Sequence, residues 1–578
     1  MIILGIHDGH NASACLFKDG KIIGMTSEER FSYKKNQGGF PKLSIEWLLT
    51  SLCVEPDQID IIAFAGLVMP VTEIVSVERK RHNLIGQAFR FFPKQIFTSD
   101  SVTKSYIKYC RRKREKLAFY SRDFDELGLD RGRARFVEHH LCHAATAYYL
   151  DERFSRERKT LILTLDGSGD GVSGTVSVGY MNRLERIAAI HSLDSLGMIY
   201  SRITMYLGMK AWEHEYKVMG MAPYSSEVLV KKSYEVLRRY IKLDKSGLLF
   251  ENSSGGYGNK LLNKFQKDLV GHRFDGVCGA IQQITEELVT AWVINWVKKT
   301  GISNICLAGG VFMNVKLNML INELNGIDSL FVMPSCGDES IALGAALNVY
   351  AQECSEKGNG QLNIEPLRHL YLGPEYSENY IEDFLEKTVG INFEKHVDIN
   401  SEVVRLLVDK KIVGRLYGKM EFGARSLGNR SILAHPGSLE IVGKINRAIK
   451  MRDFWMPFAP SILNTASDRY LRSNKLKKSP FMMVAFETTE LARQQLPAVL
   501  HQSDFTCRPQ IVDEDTNPEY FDLISRFEKA TGIGCVLNTS LNIHGYPIVN
   551  SPENAIWTLK NSELDAIQIG DFIVTKAV

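Results

Sequence analysis

The sequence predicts an α/β protein with an internally duplicated first domain and an α+β second domain. Three observations support this prediction. A buried strand that runs through an Asp-Gly turn into a second strand occurs at the start of the chain and again at 160–180. Apolar strands followed by glycine-containing turns and helices occur within 304–318 and 330–351. The polar stretch 352–377 contains glycine and proline and separates the predicted domains, 1–355 and 370–578.

Each element of the duplicated pattern has a local signal. The strand "MIILGI" leads into the turn "HDGHN", and "KDGK" at 18–21 joins the next two strands as a hairpin. The strand "TLILTL" leads in the same way through "DGSGDG" into "VSGTVSVGY". "NICLAGG" and "LFVMPSCGDES" then each end a strand before a helix. This repeated order indicates an internal duplication.

Length, charge and cysteine content narrow the class of protein. With 578 residues the chain is too long for one hydrophobic core. A net charge of +3 requires no polyanionic partner, so no nucleic acid is expected. No apolar run nears the roughly 18 residues of a membrane span, and "MIILGIHDGH" lacks the basic start of a signal peptide. Ten cysteines without a C-x-x-C pair fit the reducing cytoplasm.

Two segments allow alternative interpretations. The apolar stretch 289–297, "VTAWVINWV", fits a buried core helix or part of a homodimer face, and the core is favoured. The segment 79–116 is locally basic and fits a patch for nucleic acid or another anion. Its basic residues recur at helical spacing, which favours a solvated helical insertion instead.

A pair of histidines indicates a metal site. His139 and His143 stand at i and i+4 in "VEHHLCHAATAYY", so they share one face of a helix. Such a pair alone is more often packed or exposed than ligating. Asp338 in a strand-to-helix turn and Asp166 are candidate further ligands. Imidazole and carboxylate without thiolate suit iron, manganese or zinc.

The second domain carries cations in apolar, Gly- and Pro-rich settings. Lys450 precedes a second cation at i+2, and Ser540 stands two residues before Asn542 after an apolar strand. Cations without clustered acidic partners in sequence favour a phosphate or triphosphate ligand over surface salt bridges. The candidate set is Arg425, Arg430, Lys450, Arg452, Arg508, Ser540 and Asn542.

The paired hairpins and the Gly-Gly loop resemble the actin-like ATPases and sugar kinases, in which such turns hold phosphates. Longer stretches resemble the O-carbamoyltransferases of antibiotic, toxin and nodulation-factor biosynthesis. They occur in that family's order and span nearly the full chain: "HDGHNASA", "EHHLCHAATAYY", "LDGSGDG", "EYKVMGMAPY", "GGVFMN", "CGDESIALGAAL", "EFGARSLGNRSILAHP", "KMRDFWMPFAPS" and "NTSLNIHGYPIV".

This resemblance implies a fusion of an actin-like, iron-containing domain with a domain like threonylcarbamoyl-adenylate synthase. The second domain would make carbamoyl-adenylate from carbamoyl phosphate and ATP, with Mg²⁺ bridging the triphosphate. Lys450 and Arg452 match the K-x-R signature of that chemistry. The other cations would hold phosphates, and Ser540 and Asn542 would bind carbamoyl or phosphate oxygens.

The resemblance also implies that the first domain transfers the carbamoyl group to a hydroxyl of a small natural product. His10 matches the family's candidate base, with His7 as the runner-up. His139, His143, Asp166 and Asp338 would hold ferrous iron. The adenylate would contact Asp166, Gly167, Gly309, Gly310 and Asn314.

Two other functions remain in view. A tRNA threonylcarbamoylation enzyme would keep the chemistry and would use the basic segment 79–116 for its partner. An actin-like ATP sensor without catalysis would leave the Lys450 and Ser540 clusters without a purpose. The acceptor is not identified by the sequence.

Overall fold

The computed structural model describes residues 1–69, 100–152, 157–356, 362–450, 453–472, 475–476 and 478–577. Its packing divides the chain into two units. The first unit comprises Met1–Ser32 and Asn36–Leu367, and the second comprises Tyr33–Lys35 and Arg368–Val578. The chain passes from one unit to the other at 367/368, within the polar stretch 352–377.

Two five-stranded sheets with the same topology organise the first unit. In the first sheet the order is β3-β2-β1-β4-β5, where β1 pairs antiparallel with β2 and parallel with β4. In the second sheet the order β8-β7-β6-β11-β12 repeats these directions, with β6 antiparallel to β7 and parallel to β11. This repetition confirms the predicted duplication.

The strands of the first unit follow the predicted pattern closely, and β9 pairs with β10 in a separate ribbon. Their bounds are β1 Ile2–His7, β2 Ser13–Lys18, β3 Lys21–Ser27, β4 Ile61–Ala65, β5 Ala134–Val137, β6 Thr160–Gly169, β7 Val172–Tyr180, β8 Arg183–His191, β9 Ile241–Leu243, β10 Phe250–Asn252, β11 Asn304–Ala308 and β12 Ser329–Val332.

Two tight hairpins show why the Asp-Gly pairs recur. Asp19 and Gly20 between β2 and β3 have φ of 47° and 92°, and Asp170 and Gly171 between β6 and β7 have φ of 50° and 83°. A two-residue hairpin turn with two positive φ angles matches the twist of the strands, and Asp-Gly tolerates it well. The "KDGK" hairpin is therefore confirmed.

Helices follow the last strand of each sheet. His139–Tyr149 follows β5, and Ile341–Glu356 follows β12. These two helices pack closely, since a Cβ at Gly344 would lie 2.1 Å from the Cys142 carbonyl oxygen. The other α-helices of this unit are Glu29–Ser32, Lys42–Ser51, Asp100–Glu115, Ser121–Leu127, Leu196–Tyr206, Glu215–Met221, Glu227–Leu237, Asn259–Asp268, Phe274–Thr300 and Val315–Glu323.

The stretch 289–297 lies within the helix Phe274–Thr300 and belongs to the core. Val289, Trp292, Val293 and Trp296 are all at most 3% exposed. The indole nitrogens of both tryptophans donate to the carbonyl of Leu248, at 2.9 and 3.0 Å. A hydrogen-bonded indole can be buried at little cost.

The second unit is built on one mixed eight-stranded sheet of order β13-β22-β21-β14-β15-β20-β16-β19, beside the short pair β17-β18. Most neighbours are antiparallel, whereas β14/β21 and β16/β19 are parallel. The strands are β13 Ile391–Lys395, β14 Val413–Leu416, β15 Arg430–Ala434, β16 Ala459–Leu463, β17 Leu471–Arg472, β18 Glu487–Thr488, β19 Gln510–Val512, β20 Cys535–Ser540, β21 Ala566–Ile569 and β22 Phe572–Lys576.

The helices of the second unit connect these strands, and the longest runs from Pro518 to Thr531. A mixed α/β unit of this kind agrees with the predicted fold class. The α-helices are Glu378–Glu386, Ile399–Val408, Leu439–Ile445, Ser467–Tyr470, Glu490–Gln495, Pro518–Thr531 and Pro552–Lys560, and a π-helical turn spans Asn446–Lys450.

Candidate active site

The first unit brings together the four predicted metal ligands. His139 and His143 lie on the helix after β5, Asp166 lies in β6, and Asp338 lies in the turn after β12. One ligand atom from each residue lies within 4.8 Å of every other. The duplicated topology produces this convergence, because both sheets deliver their strand ends and following turns to the same place.

The spacing of these atoms fits a single cation. The Nε2 atoms of His139 and His143 lie 3.3 and 3.4 Å from the Asp166 Oδ2 atom, and each lies 3.5 Å from the Asp338 Oδ1 atom. Ligands about 2.1 Å from an ion are separated by about 3–3.5 Å. The His143 ring is fully buried, and neither of its nitrogens makes a well-formed hydrogen bond to the described residues. This donor set therefore fits a metal ion.

The charges at the site fit the same conclusion. Burial alone would lower the pKa of His139, but Asp338 and Asp166 raise it to about 10. Burial would also lower the pKa of His143, but Asp166 and Asp338 raise it above its usual value. Burial would raise the pKa of Asp166, but the two imidazoles hold it well below its usual range. A bound cation would take the place of the imidazole protons between these carboxylates.

Asp170 anchors the helix that carries the histidines. Its carboxylate accepts the backbone N–H of His139 at 2.8 Å. It also accepts the N–H of Leu67 at 2.8 Å and that of Val68 at 2.7 Å. One buried carboxylate thus joins the β6–β7 turn, the loop after β4 and the start of the histidine helix. Sequence reasoning missed this residue, although the "DGSGDG" motif contains it.

His140 faces away from the ligand cluster. Its Nδ1 atom lies 2.9 Å from the Thr164 hydroxyl, and its Nε2 atom lies 3.1 Å from the Val172 carbonyl oxygen. Burial lowers its pKa well below the usual range, and the neighbouring histidines add to this effect. A neutral ring held from both sides fixes the helix against β6 and β7.

The two histidines of the first turn differ in their surroundings. His7 is buried, and its Nε2 atom lies 3.0 Å from the His10 carbonyl oxygen. His10 is partly exposed, and its ring meets the edge of Trp212 at a centroid distance of 6.1 Å. Burial lowers the pKa of His10, although Asp338 and Glu213 oppose the shift. The His10 imidazole is thus uncharged at neutral pH and partly open to solvent.

The end of the basic segment is part of the fold of the first unit. Residues 79–99 of this segment lie outside the described part of the chain. Arg114 is 4% exposed, and its Nη2 atom lies 2.7 Å from Asp8 Oδ1. Asp8 also accepts the Tyr120 hydroxyl at 2.7 Å. Arg114 is therefore neither solvated, as the favoured interpretation expected, nor presented to an anion.

The glycine loop after β11 has a structural reason for its first glycine. Gly309 has φ of 101°, and a Cβ there would lie 2.3 Å from the Leu165 carbonyl oxygen. A Cβ at Gly310 would lie 2.9 Å from Asp166 Oδ1, whereas nothing lies within 4 Å of one at Gly167. The loop therefore approaches the end of β6 as only glycine allows, and Gly167 faces open space.

Asn314 caps a helix and pairs with a neighbouring amide. Its Oδ1 atom accepts the Leu317 N–H at 3.1 Å and caps the helix Val315–Glu323. Its amide also pairs with that of Gln282 in both directions, at 2.8 and 3.1 Å. Gln282 in turn lines a cavity of about 660 Å³, a volume typical of ligand sites. The cavity walls include Met219, Pro223, Lys231, Gly279, Gln282 and Lys316.

In the second unit, the lysine and the S-x-N pair meet. The Lys450 Nζ atom lies 3.1 Å from the Ser540 Oγ atom and 2.5 Å from the Asn542 Oδ1 atom. It also donates to the carbonyl oxygens of Ser540 and Asn542. Lys450 is 2% exposed, and its ammonium group is surrounded by oxygens at the end of β20. Arg452 lies outside the described residues.

Arg430, predicted as a phosphate ligand, is bonded to the backbone of its own unit. It is fully buried and donates to the backbone carbonyls of Pro374, Tyr417, Gly418, Asn429 and Asn550. All three guanidinium nitrogens, Nε, Nη1 and Nη2, donate to these carbonyls, so the hydrogen bonds of Arg430 are made within the fold. In this structure Arg430 holds loops together.

Arg425 and Arg508 are both partly exposed, on loops fixed by a buried network. Glu421 Oε1 accepts three backbone N–H groups of the loop after Arg425, at 2.7–3.0 Å. Asn538, two residues before Ser540 on β20, hydrogen-bonds to Ser426 and to Gln510. Both loops are thus tied to the strand that carries Ser540. The i, i+2 spacing of Asn538 and Ser540 is the sequence pattern from which this role of Asn538 could have been predicted.

The comparisons with known proteins cover both units. Family models described as the carbamoyltransferase N-terminus and the carbamoyltransferase C-terminus match residues 2–347 and 404–576. Together these matches define an enzyme that transfers a carbamoyl group. The chain belongs to the carbamoyltransferase family, as the resemblance in the sequence predicted.

Individual relatives span most of the chain. The nodulation protein NolNO of Sinorhizobium fredii is 31% identical over 98% of this chain and 79% of its own length. The nodulation protein NolO of Bradyrhizobium diazoefficiens is 34% identical over 76% of this chain and 79% of its own. An uncharacterized protein of Methanocaldococcus jannaschii is 33% identical over the full length of both.

Among solved structures, HypF from T. kodakarensis covers 61% of this chain and 48% of its own, at 14% identity and a TM-score of 0.31. This likeness is too distant to support an argument. Within the described ranges, none of the helices combines the length and the hydropathy needed to cross a bilayer.

Proposed function

We propose that this enzyme is an ATP-dependent O-carbamoyltransferase that works in two steps. In the second unit, carbamoyl phosphate would lose phosphate with uptake of water, and the carbamate would attack the α-phosphate of ATP. Carbamoyl-adenylate and pyrophosphate result. In the first unit, a hydroxyl of a small acceptor would attack the carbamoyl carbon and AMP would leave. The observation that carries the proposal is the four-ligand cluster in a chain that matches both carbamoyltransferase models.

The Lys450 cluster supports the first step. Its ammonium group is already desolvated and held by Ser540 and Asn542. Anionic oxygens of carbamate or phosphate entering there would meet a positioned cation in a site that excludes water, where electrostatic stabilisation is strongest. Arg425, Arg508 and Arg452 would neutralise the triphosphate, with Mg²⁺ bridging its oxygens.

The first unit supports the second step. Ferrous iron on His139, His143, Asp166 and Asp338 would act as a Lewis acid toward the carbamoyl group or its phosphate. His10 would take the proton of the attacking hydroxyl, because it is neutral and open to ligands. His7 would orient this turn through its bond to the His10 carbonyl.

The adenosine part of the adenylate would occupy the cavity beside Gln282. With a volume of about 660 Å³, the cavity is large enough for a base and a ribose. Its polar wall residues would form hydrogen bonds to them. Asn314 would act through Gln282 instead of touching the nucleotide. Gly167, Gly309 and Gly310 would let the phosphate approach the backbone near Asp166.

Two half-reactions test this proposal separately. Carbamoyl phosphate should support exchange of labelled pyrophosphate into ATP, and Lys450→Ala should abolish that exchange. His139→Ala should keep the exchange but abolish transfer of the labelled carbamoyl group to the acceptor. Exchange in the Lys450→Ala protein at the wild-type rate would contradict the assignment of the second unit.

Acceptor class is tested in the same assay. A mixture of hydroxylated small molecules and, in parallel, purified tRNA would each be offered with labelled carbamoyl phosphate and ATP. We expect label on the small molecules, since a net charge of +3 requires no polyanionic partner. Stable label on tRNA would favour the threonylcarbamoylation function instead.

A further inference from the structure

Trp212 has an unusual backbone and an unusual position. It is 57% exposed, and its φ is 64° in the loop before the helix Glu215–Met221. A bulky residue in the left-handed region is strained, and such strain points to a function when the surrounding structure maintains it. The backbone N–H of Trp212 donates to Glu215 Oε1 at 2.8 Å, which fixes the loop in this conformation.

The surroundings of Trp212 lead towards the proposed reaction centre. The centroid of its ring lies 6.1 Å from that of His10, with the two ring planes inclined at 64°. On another side, the Arg202 guanidinium carbon lies 5.9 Å from the ring centre. The Arg202 Nε atom is buried and has no hydrogen-bond partner among the described residues. An indole surface and an unused donor thus lie together next to the candidate base.

A second aromatic residue continues this surface. Tyr257 is 39% exposed. Burial raises the pKa of its hydroxyl, and Arg202 and Ser168, which lies in the turn that follows Asp166, oppose that shift. The three side chains Trp212, Arg202 and Tyr257 form a rim that runs from His10 to the Asp166 turn. We name this set the aromatic rim.

The chemistry of the aromatic rim fits one class of acceptor. A flat indole binds best to a rigid ring that offers an apolar face, and the hydroxyls at the edge of such a ring need polar partners. The guanidinium group of Arg202, beside the indole, would supply such a partner. A flexible open-chain polyol offers no apolar face and would lose more conformational entropy on binding.

We propose that Trp212 is the platform on which a hydroxylated ring of the acceptor, such as a pyranose, stacks so that one hydroxyl reaches His10. This inference rests on the proposed function, whose acceptor step it completes. The stacked ring would place the hydroxyl oxygen next to the imidazole that takes its proton. The platform would thus select ring-shaped acceptors over linear ones.

Tryptophan fluorescence of the full-length protein tests the platform directly. The probes are methyl α-D-glucopyranoside and, as the linear match, sorbitol. We expect the pyranoside to change the emission saturably, with at least tenfold weaker half-saturation for sorbitol. Trp212→Phe should abolish most of the change, whereas Trp557→Phe, which removes another exposed indole, should leave it intact.

Variants that lack Trp212 also lack its fluorescence, so their binding is measured by a second method. By calorimetry, Trp212→Ala should weaken pyranoside binding about tenfold and Trp212→Phe about threefold, and thermal unfolding would check that both proteins are folded. No pyranoside signal in the wild type, equal binding of sorbitol, or undiminished binding to Trp212→Ala would each overturn the inference. Pyrophosphate exchange in the wild type is measured in parallel. If exchange occurs but the pyranoside does not bind, the inference fails while the first step of the proposed function stands.

Discussion

At the scale of single residues, the site depends on groups that hold other groups in place. Asp170 is the clearest case, because its carboxylate accepts the N–H of His139 and two N–H groups of the loop after β4. Hydrogen bonds to an ionised carboxylate contribute more than neutral ones. The direction of the His139 ring is therefore set partly from outside the ligand cluster.

Asp170→Asn should loosen the metal site without removing a ligand. Asparagine keeps one acceptor oxygen but loses the charge, so we expect a loss of about 2 kcal/mol in unfolding free energy. We also expect about tenfold weaker binding of Fe²⁺ or Mn²⁺, measured by anaerobic titration of the apoprotein. Asp130→Asn, which alters an exposed cap on Gly132, is the control. Equal metal affinity of both variants would contradict the role.

His10 predicts a particular pH profile. Burial lowers its pKa, while Asp338, Glu213 and Glu29 oppose the shift and Lys210 adds to it. The neutral base is therefore present above a pKa lower than the usual 6.5, and transfer should fall only as the pH drops below that value. The rate of carbamoyl transfer against pH checks this. His10→Asn should lower the rate about 100-fold or more and remove this acidic limb; an unchanged limb would assign it to another group.

At the scale of elements, the helix Asp100–Glu115 is fixed to the first sheet by a buried ion pair. Arg114 reaches Asp8 at the end of β1, and Tyr120 donates to the same carboxylate. Breaking a buried pair on one side leaves an uncompensated charge, which costs more than the pair itself contributes. The pair therefore specifies where the helix docks.

A double-mutant cycle measures this docking. Arg114→Met alone should lower the unfolding free energy by about 3–5 kcal/mol, because Asp8 stays buried without its ion-pair partner. Adding Asp8→Asn should restore about 1–3 kcal/mol of that loss. Denaturant unfolding of the four proteins gives the coupling. Additive losses would show that the two side chains do not act together.

The duplicated elements were predictable, because short local signals encode them. The "KDGK" and "DGSGDG" turns and the Gly-Gly loop each show their structure within a few residues. Asp170, Arg114 and Trp212 were not predictable in the same way, because their partners lie far away in sequence or their strain exists only in three dimensions. For Arg430, sequence showed a cation but not the carbonyls that surround it.

At the scale of the whole molecule, the proposed function assigns one step of the reaction to each unit. The ligand cluster lies in the first unit, and the Lys450 cluster lies in the second. The sequence predicted both clusters, since the spacings within "EHHLCHAATAYY" and "NTSLN" are short. The role of each residue within them depends on burial and on hydrogen bonds that spacing does not reveal.

Metal removal should therefore affect one activity and spare the other. After treatment with an iron chelator, carbamoyl transfer should be lost, while pyrophosphate exchange assayed with fresh Mg²⁺ should remain. The apoprotein should also unfold more easily, by about 2.7 kcal/mol if the ion was present at 100 times its dissociation constant. Adding back Fe²⁺, Mn²⁺ or Zn²⁺ separately identifies the active metal. Loss of exchange that Mg²⁺ does not restore would contradict the separation.

The two halves of the duplicated unit contribute different side chains to the ligand cluster. After its last strand, the first half supplies two histidines, whereas the second half supplies one aspartate from the matching place. Identical copies would have supplied identical ligands. The unequal set of His139, His143 and Asp338 therefore marks where the two halves, alike in topology, differ in the chemistry that they bring to the site.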